Sequence, residues 1–189
     1  MVKRRTLTQG KVIEQANQLI AENGIDKLTI RSLADALDVR PQSIYNYVDS
    51  LNDLLDQVGV AFVHEIEQRL MRHLMGVSGK EALMVFAREF RQGCHEQQHL
   101  APLLLNPNDL QQLQQTHLAL VTLYHQMFAS LHLAEDESSG LVESTLYRSA
   151  LFGFIMQEMG GFLQLPAQQV DDRFEQTMQL AIDQFSAID

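Results

Sequence analysis

The sequence predicts an all-α protein of about nine helices. Apolar residues recur at spacings of three and four through most of the 189 residues, as they do on one face of an α-helix. Prolines number only four, and no Asn-Gly or Asp-Gly pair lies between alternating, strand-like runs. The length suits one or two domains, and 46% hydrophobic residues are enough to form a buried core.

The first three predicted helices are closely spaced. Thr8 is expected to cap helix one, which runs to Asn23 and ends at Gly24. Helix two is predicted to start after Thr29. Helix three, over Pro41–Tyr47, begins with a proline, which suits a first helical turn because that position has no helical partner for an N–H.

The remaining helices are longer. Asp49 and Ser50 are expected to cap a long helix four, whose apolar stripe extends from Leu51 to Leu74. Further helices are predicted over 79–98, about 108–132, 136–163 and 168–187.

The formal net charge of −10 is unevenly divided along the chain. Residues 1–50 carry seven Lys or Arg and six Asp or Glu, whereas the rest carries seven against eighteen. This split predicts two domains with different roles, residues 1–50 and 51–189. An acidic body discourages non-specific contact with phosphates, while a near-neutral head can still touch them.

The single cysteine and the absence of long apolar runs bear on the cellular compartment. One cysteine cannot form a disulfide framework or a four-thiolate zinc site. No stretch is apolar for long enough to be a signal peptide or a membrane span. We therefore expect a soluble, cytoplasmic protein that does not bind membranes.

Helices one to three match the tri-helical helix-turn-helix plan, which places its third helix in the major groove of DNA. The tight link is Asp38-Val39, and Val39, Ile44 and Val48 are expected to pack inward. The other side chains of this segment combine groups that read base edges with hydroxyls that bond phosphate. They are Arg40, Gln42, Ser43, Tyr45, Asn46 and Tyr47. The two tyrosines either meet a partner or fold back over helix four, and the pattern favours neither.

The stretch LTIRSLADALDVRPQSIYNYVDSLNDLL, residues 28–55, resembles the DNA-binding signature of the TetR family of bacterial transcriptional regulators. The shared features are the Thr that opens helix two, the LA-x-x-L-x-V core and the S-I-Y-x-Y end of helix three. Residues 146–163 and 170–177 resemble the paired last helices of one carboxy-terminal variant of that family. The resemblance implies an amino-terminal helix-turn-helix domain followed by a larger helical domain for ligand binding and dimerisation.

The same resemblance implies roles for individual residues. Phosphate contacts are implied for Thr29, Ser43, Tyr45 and Tyr47, and base contacts for Arg31, Arg40, Pro41, Gln42 and Asn46. The physical chemistry agrees for Arg31, whose reach from the first turn of helix two suits guanine. Lys3, Arg4 and Arg5 are expected to neutralise phosphate or enter the minor groove, or else to be a solubilising start.

Three residues depart from the family pattern. Leu51 stands where many relatives carry a phosphate-binding Lys, and Asp38 stands where a Gly is typical of the turn. Phe152 stands where the carboxy-terminal variant often has His, so a ligand role for that His is excluded here. The missing Lys removes one backbone contact per subunit and leaves base recognition intact.

The larger domain contains soft, polarizable side chains that suit a pocket for varied ligands, although an ordinary core uses the same residue types. The candidate pocket residues are Phe62, Ile66, Met71, Met84, Phe86, Phe90, His117, Tyr124, Met127 and Phe128.

Helix eight is apolar on more than one face, which predicts that a second subunit covers part of it. Helix nine carries an apolar stripe that would complete a four-helix interface. The candidate interface residues are Leu146, Ser149, Gly153, Met156, Met159, Gly160, Phe174, Met178, Ile182 and Phe185.

These observations predict a homodimeric repressor that binds a palindromic double-stranded DNA operator and is released by a small-molecule effector. No cofactor and no catalytic residue is predicted. One alternative is a regulator of the same fold that responds to a protein or a metal.

A second alternative, from another class, is a metal-dependent hydrolase that uses HEQQH at residues 95–99. This segment fits H-E-x-x-H, the zinc-binding helix of metalloproteases. The positions where a third His could follow hold Pro102 and Leu105, which disfavours catalytic zinc. His95 and His99 could still hold a regulatory metal if both lay on one helix. Cys94 is predicted to be a small buried apolar residue and not a sensor.

Overall fold

The computed structural model describes residues 7–106, 111–131 and 138–185. Every regular element in these ranges is helical, which confirms the all-α prediction. Nine α-helices have described bounds, and a short 3-10 helix, Ile25–Lys27, follows the first of them. The bounds are α1 Gln9–Asn23, α2 Ile30–Ala36, α3 Pro41–Ile44, α4 Leu51–His73, α5 Gly79–Glu96, α6 Ala101–Leu105, α7 Gln114–Ser130, α8 Ser138–Met159 and α9 Ala167–Ile182.

The chain divides into two compact units. The first unit comprises the residues up to Val63 together with His99–Ala119, and the second comprises His64–Gln98 and the residues from Leu120 onward. This division differs from the predicted boundary after residue 50, because α4 and α7 each contribute residues to both units. A functional boundary at residue 50 remains a prediction. None of the helices within the described ranges is both long and apolar enough to cross a membrane.

The helix ends follow the predicted signals. The Thr8 side chain accepts a hydrogen bond from the first turn of α1, and Gly24 ends that helix with a φ of +85°. Thr29 and Ser32 form a capping box at the start of α2, in which the Ser32 N–H donates to Thr29 Oγ1 at 2.9 Å. Pro41 occupies the first turn of α3. Local side-chain chemistry therefore sets the entry into each helix of this region.

The turn between α2 and α3 depends on Asp38, which has a φ of +53°. This is the left-handed region, which strains most residues and which Asp and Asn tolerate better than others. The next residue, Val39, closes the turn by donating its N–H to the Ala34 carbonyl at 3.0 Å. Asp38 thus performs the conformational role for which glycine is typical.

The core of the first unit is formed by one face of each helix. These faces carry aliphatic side chains that are at most 3% exposed. They are Val12, Ala16 and Ile20 of α1, Leu33 and Ala34 of α2, Ile44 and Val48 of the α3 region, and Leu54 and Val58 of α4. Burial of these side chains fixes the direction in which the opposite faces of α2 and α3 point.

The core of the second unit is largely aromatic. Neighbouring rings from α5, α7 and α8 lie with centroids 5.1–6.5 Å apart, as in the pairs Phe86–Tyr124, Phe86–Tyr147 and Tyr124–Phe128. The Tyr147 hydroxyl donates to the Leu83 carbonyl at 2.6 Å, so that this buried polar group is satisfied.

Arg91 of α5 ties α8 and α9 to this core. Its side chain is 15% exposed, and Nη2 lies 2.6 Å from Glu158 Oε1 and 2.7 Å from Asp171 Oδ1. The guanidinium carbon also lies 4.7 Å from the ring centroid of Phe174. Burial alone would raise the pKa of Glu158, but hydrogen bonds and charge from Arg91 and His95 outweigh burial and lower it. The hydrogen bonds that Arg91 donates to Glu158 raise the pKa of Arg91.

The structure corrects the predicted contribution of α9 to a dimer interface. Its apolar stripe packs inside the subunit, where Phe174 meets Phe154 at a ring distance of 5.2 Å. The four residues assigned to the interface from this part of the chain are fully buried: Phe174, Met178, Ile182 and Phe185. They belong to the core because α5 and α8 cover the stripe.

Candidate nucleic-acid interface

The polar face of α3 is turned to solvent because its apolar residues are anchored below it. Ile44 is 0% exposed and Val48 is 2% exposed. The exposed residues of the segment are Arg40, Pro41, Gln42, Tyr45 and Asn46, and Ser43 is half-buried. Guanidinium and amide groups recognise base edges, so this face has the chemistry of a major-groove reader.

Arg31 adds to this face from the first turn of α2. It is exposed, as is Thr29, whose side chain caps the helix. Within the described ranges, no hydrogen bond or ion pair engages the side chains of Arg31, Arg40, Gln42 or Asn46. These groups can therefore bond a partner without first breaking an internal contact. Lys3, Arg4 and Arg5, the predicted phosphate-binding tail, lie outside the described residues.

The two tyrosines differ in exposure. Tyr45 is 49% exposed, in keeping with the predicted phosphate contact. Tyr47 is half-buried, and its hydroxyl donates to the Leu7 carbonyl at 2.8 Å. This hydrogen bond ties Tyr47 to the chain just before α1. The phosphate contact expected of Tyr47 remains a prediction.

Gln57 supports the end of the α3 segment and was not identified from the sequence. Its Nε2 donates to the Tyr47 carbonyl at 3.2 Å, and its Oε1 accepts from Gln9 at 2.9 Å. One turn earlier, Asp53 accepts the N–H of Asp49 at 2.8 Å. The one signal for Gln57 in the sequence was a polar residue just after the first turn of α4. Polar residues at such positions more often face solvent, so this signal did not mark Gln57 as a supporting residue.

The second unit contains a cavity of about 480 Å³ between α4, α5 and α7. Three of the predicted pocket residues line it: Met71, Phe86 and Met127. The predicted residues that are buried without lining it are Phe62, Ile66, Met84, Phe90, Tyr124 and Phe128. His117 is exposed and belongs to the first unit, which corrects its place in the pocket.

The cavity wall is mainly aliphatic and contains one charged residue, Glu67. Ser78 and Gln126 supply the other polar groups, and none of the lining residues is cationic. Met71 is 68% exposed, so the cavity opens to solvent beside it. Ser78 and Gln126 were not predicted, because neither residue belongs to a motif in the sequence.

The HEQQH segment does not form a metal-binding helix. α5 ends at Glu96, so His95 and His99 do not share a helix turn. His95 Nε2 lies 3.0 Å from Glu158 Oε2, whereas His99 Nε2 lies 2.7 Å from Asn17 Oδ1. Among the residues whose placement is described, no group of three or more His, Cys, Asp or Glu could hold a metal.

Cys94 is fully buried, as predicted. Burial raises the pKa of its thiol to about 12, which keeps it protonated at neutral pH. Because the thiolate is the reactive form, Cys94 is a packing residue.

The amino-terminal helices match a known family. A family model described as bacterial regulatory proteins, tetR family, matches residues 12–58, which include α2, α3 and the start of α4. In this amino-terminal segment, the chain is similar to the TetR family.

Two curated proteins are similar to part of the chain. An uncharacterized HTH-type transcriptional regulator of Mycobacterium tuberculosis is 34% identical over 89 residues, which are 47% of this chain and 41% of that protein. An HTH-type transcriptional regulator of Saccharopolyspora erythraea is 31% identical over 85 residues, 45% of this chain and 35% of that protein. The chain is thus aligned with less than half of each relative.

Solved structures match nearly the whole chain. Mycobacterium smegmatis BioQ has a TM-score of 0.73 at 19% identity, covering 96% of this chain and 99% of that one. A TetR variant from Acinetobacter baumannii AYE in complex with minocycline has a TM-score of 0.69 at 19% identity, covering 96% and 98%. At these identities the likeness shows the fold alone, and the shared fold extends over nearly the whole chain. The predicted carboxy-terminal variant remains a prediction.

Proposed function

We propose that the protein is a homodimeric transcriptional repressor that binds a palindromic DNA operator and leaves it when a small molecule fills the cavity. The observation that carries the proposal is the outward face of α3, where unengaged base-reading groups stand above a buried apolar anchor. A two-fold dimer would present two such faces to successive major grooves. Operation on DNA also implies a cytoplasmic location.

Selection of bound fragments from random duplex DNA tests the DNA-binding part. We expect a palindromic site whose affinity falls steeply with salt, because phosphate contacts release counterions. Arg31→Ala or Gln42→Ala should cost about 1–3 kcal/mol and relax preference at single positions. Tyr45→Phe should instead weaken binding to all sequences similarly. Recovery of sequence-random fragments alone would contradict the proposal, and equal loss of preference in all three variants would contradict the assigned roles.

The dimer part rests on an exposed stripe along α8. Apolar and small side chains share this face, and Val142, Leu146 and Met156 are 69%, 44% and 48% exposed. Ser149 and Gly153 fall on the same helical face, and Gly160 follows directly after the helix. Small residues allow another helix to approach. The adjoining Phe162 is 79% exposed.

Light scattering tests the dimer directly. The wild-type chain should have the mass of a dimer at micromolar concentration, and Gly153→Arg should have the mass of a monomer. An added Cβ at Gly153 meets nothing within 4 Å in the subunit, so the substitution should not disturb its own fold. Leu180→Glu, on the exposed side of α9, is the matched control at an exposed apolar site outside the stripe. A monomeric wild-type chain would refute the interface.

The effector part rests on the cavity and its single carboxylate. An aliphatic wall with Glu67 and no cationic side chain favours a neutral or cationic apolar molecule over an anion. Octyltrimethylammonium, octanol and octanoate share one alkyl chain and differ in charge. Calorimetry should show binding in that order, and Glu67→Gln should remove only the advantage of the cation. Tightest binding of octanoate would contradict this proposal.

Occupancy of the cavity is tested with a filling variant. Ala82 is 6% exposed and lines the cavity, so Ala82→Phe places a ring in its space. We expect this variant to retain operator binding and to lose release by the tightest-binding octyl compound. Release that persists in the variant would place the effector elsewhere.

A further inference from the structure

A buried contact joins α4 to the start of α7 within the first unit. The carboxylate of Asp56, a residue only 9% exposed, accepts the N–H of Gln115 at 3.0 Å and of Thr116 at 2.7 Å. The Thr116 hydroxyl lies 2.8 Å from Asp56 Oδ1 and 2.9 Å from the Asp56 carbonyl oxygen. The first N–H groups of a helix lack helical partners and carry partial positive charge. Asp56 therefore caps α7 from another helix.

Gly59 shows how closely the two helices approach at this contact. A Cβ built on Gly59 would lie 2.3 Å from Thr116 Oγ1 and 2.8 Å from Thr116 Cγ2. Only a residue without a side chain fits there. Because packed interiors do not compress, α4 and α7 must move together at this point.

The same turn of α4 also holds the end of the α3 segment. Gln57, next to Asp56, donates to the Tyr47 carbonyl at 3.2 Å and to Asp53 Oδ2 at 3.2 Å. Asp53 in turn accepts the Asp49 N–H at 2.8 Å. The same part of α4 therefore bonds to α7 through Asp56 and to the end of the α3 segment through Gln57 and Asp53.

The far part of α7 reaches the cavity. Leu123 and Met127 line the cavity and lie on the same continuous helix as Thr116.

We propose that Asp56 and Thr116 are positioning residues that transmit displacement of α7 to the DNA-reading helix α3. The use of this route by an effector rests on the proposed function, whereas the mechanical coupling does not. Such coupling requires a structural contact whose arrangement both α7 and α3 can change. The Asp56–Thr116 contact is such a contact.

Hydrogen exchange on the full-length chain tests the coupling without DNA or effector. Thr116→Val keeps the shape of the side chain, removes the hydroxyl from α7 and leaves every atom of α4 unchanged. We expect exchange to rise about fivefold at the amides of residues 114–118 and also at residues 44–48. Residues 12–20 of α1, in the same unit, should exchange as in the wild-type chain. Thr116→Ser retains the hydroxyl and should restore wild-type exchange at residues 44–48.

Two results would overturn the proposal. A rise confined to residues 114–118 would make Asp56 a local cap, and an equal rise in α1 would indicate general destabilisation. Tyr147→Phe, which removes a buried hydrogen bond of the second unit, sets the exchange expected from lost stability alone. Asp56→Asn changes the same contact from the α4 side and must give the same rise in exchange at residues 114–118 and 44–48. If Thr116→Val does not fold, Asp56→Asn alone decides the test. A chain that fails to bind DNA would refute the proposed function and leave this result unaffected.

Discussion

The close approach of α4 and α7 makes Gly59→Ala an informative perturbation. The added Cβ would come within 3.0 Å of two atoms of Thr116, Oγ1 and Cγ2, and within 3.1 Å of its Cβ. Thr116 is fully buried and bonded to Asp56, so its side chain cannot rotate away freely. Overpacking of this kind costs about 1–3 kcal/mol, and alanine's better helix propensity returns about 1 kcal/mol.

Because the contact with Thr116 Oγ1 is as short as 2.3 Å, the overpacking cost should lie in the upper part of that range, at about 2–3 kcal/mol. We therefore expect the free energy of unfolding in urea to fall by about 1–2 kcal/mol in Gly59→Ala. In a chain of this size, each kcal/mol lowers the midpoint of thermal unfolding by about 2–4 °C. Gly10→Ala is the matched control, because α1 offers open space around an added Cβ and the change should be neutral or stabilising. The penalty should shrink when Gly59→Ala is made in a Thr116→Ala background, since both clashing atoms are then absent. An unchanged penalty in that background, or a Gly59→Ala chain as stable as wild type, would refute the reasoning.

Three further expectations follow from single sites. Asp38→Gly should raise the free energy of unfolding by up to about 1 kcal/mol, and Asp38→Val should lower it by about 1–2 kcal/mol, because φ is +53° there. The lowered pKa of Glu158 contributes stability that is present above its ordinary value of 4.5 and is lost as pH falls through the lower folded value. Urea unfolding from pH 6 to pH 3 should therefore show a steeper loss in the wild-type chain than in Glu158→Gln. Cys94, with a pKa of about 12, should resist iodoacetamide at pH 8 in the native state and react in urea, as followed by mass spectrometry.

Local signals explain why the helix-turn-helix region could be predicted closely. Thr8, Thr29 and Pro41 determine where their helices begin through bonds to neighbouring residues, which is information that a short stretch of sequence contains. The buried anchor of α3 followed from helical spacing, since Ile44 and Val48 lie on one side of a short segment. Exposure of Arg40, Gln42 and Asn46 was then a geometric consequence.

Long-range contacts explain the errors. The apolar stripe of α9 has the same pattern whether it faces its own core or a second subunit, and the contact of Phe174 with Phe154 decides between them. The pattern also left open whether the two tyrosines face a partner, and the bond from Tyr47 to the Leu7 carbonyl is a contact across 40 residues that no local pattern shows. For His95 and His99, the helix ends between the two residues. Pro102 signalled a nearby break but not its position.

The placement of the unit boundary has a physical reason that also bears on regulation. Charge counts separate the sequence at residue 50, but the first turns of α4 are tied to the amino-terminal helices by Gln57 and to α7 by Asp56. A boundary at residue 50 would separate Gln57 from its partner Tyr47, and α4 as far as Val63 belongs with the first unit. α4 and α7 each contribute residues to both units. A ligand that prefers one arrangement of this pair over the other can shift DNA binding only by that preference, and about 2.7 kcal/mol would suffice for a hundredfold change.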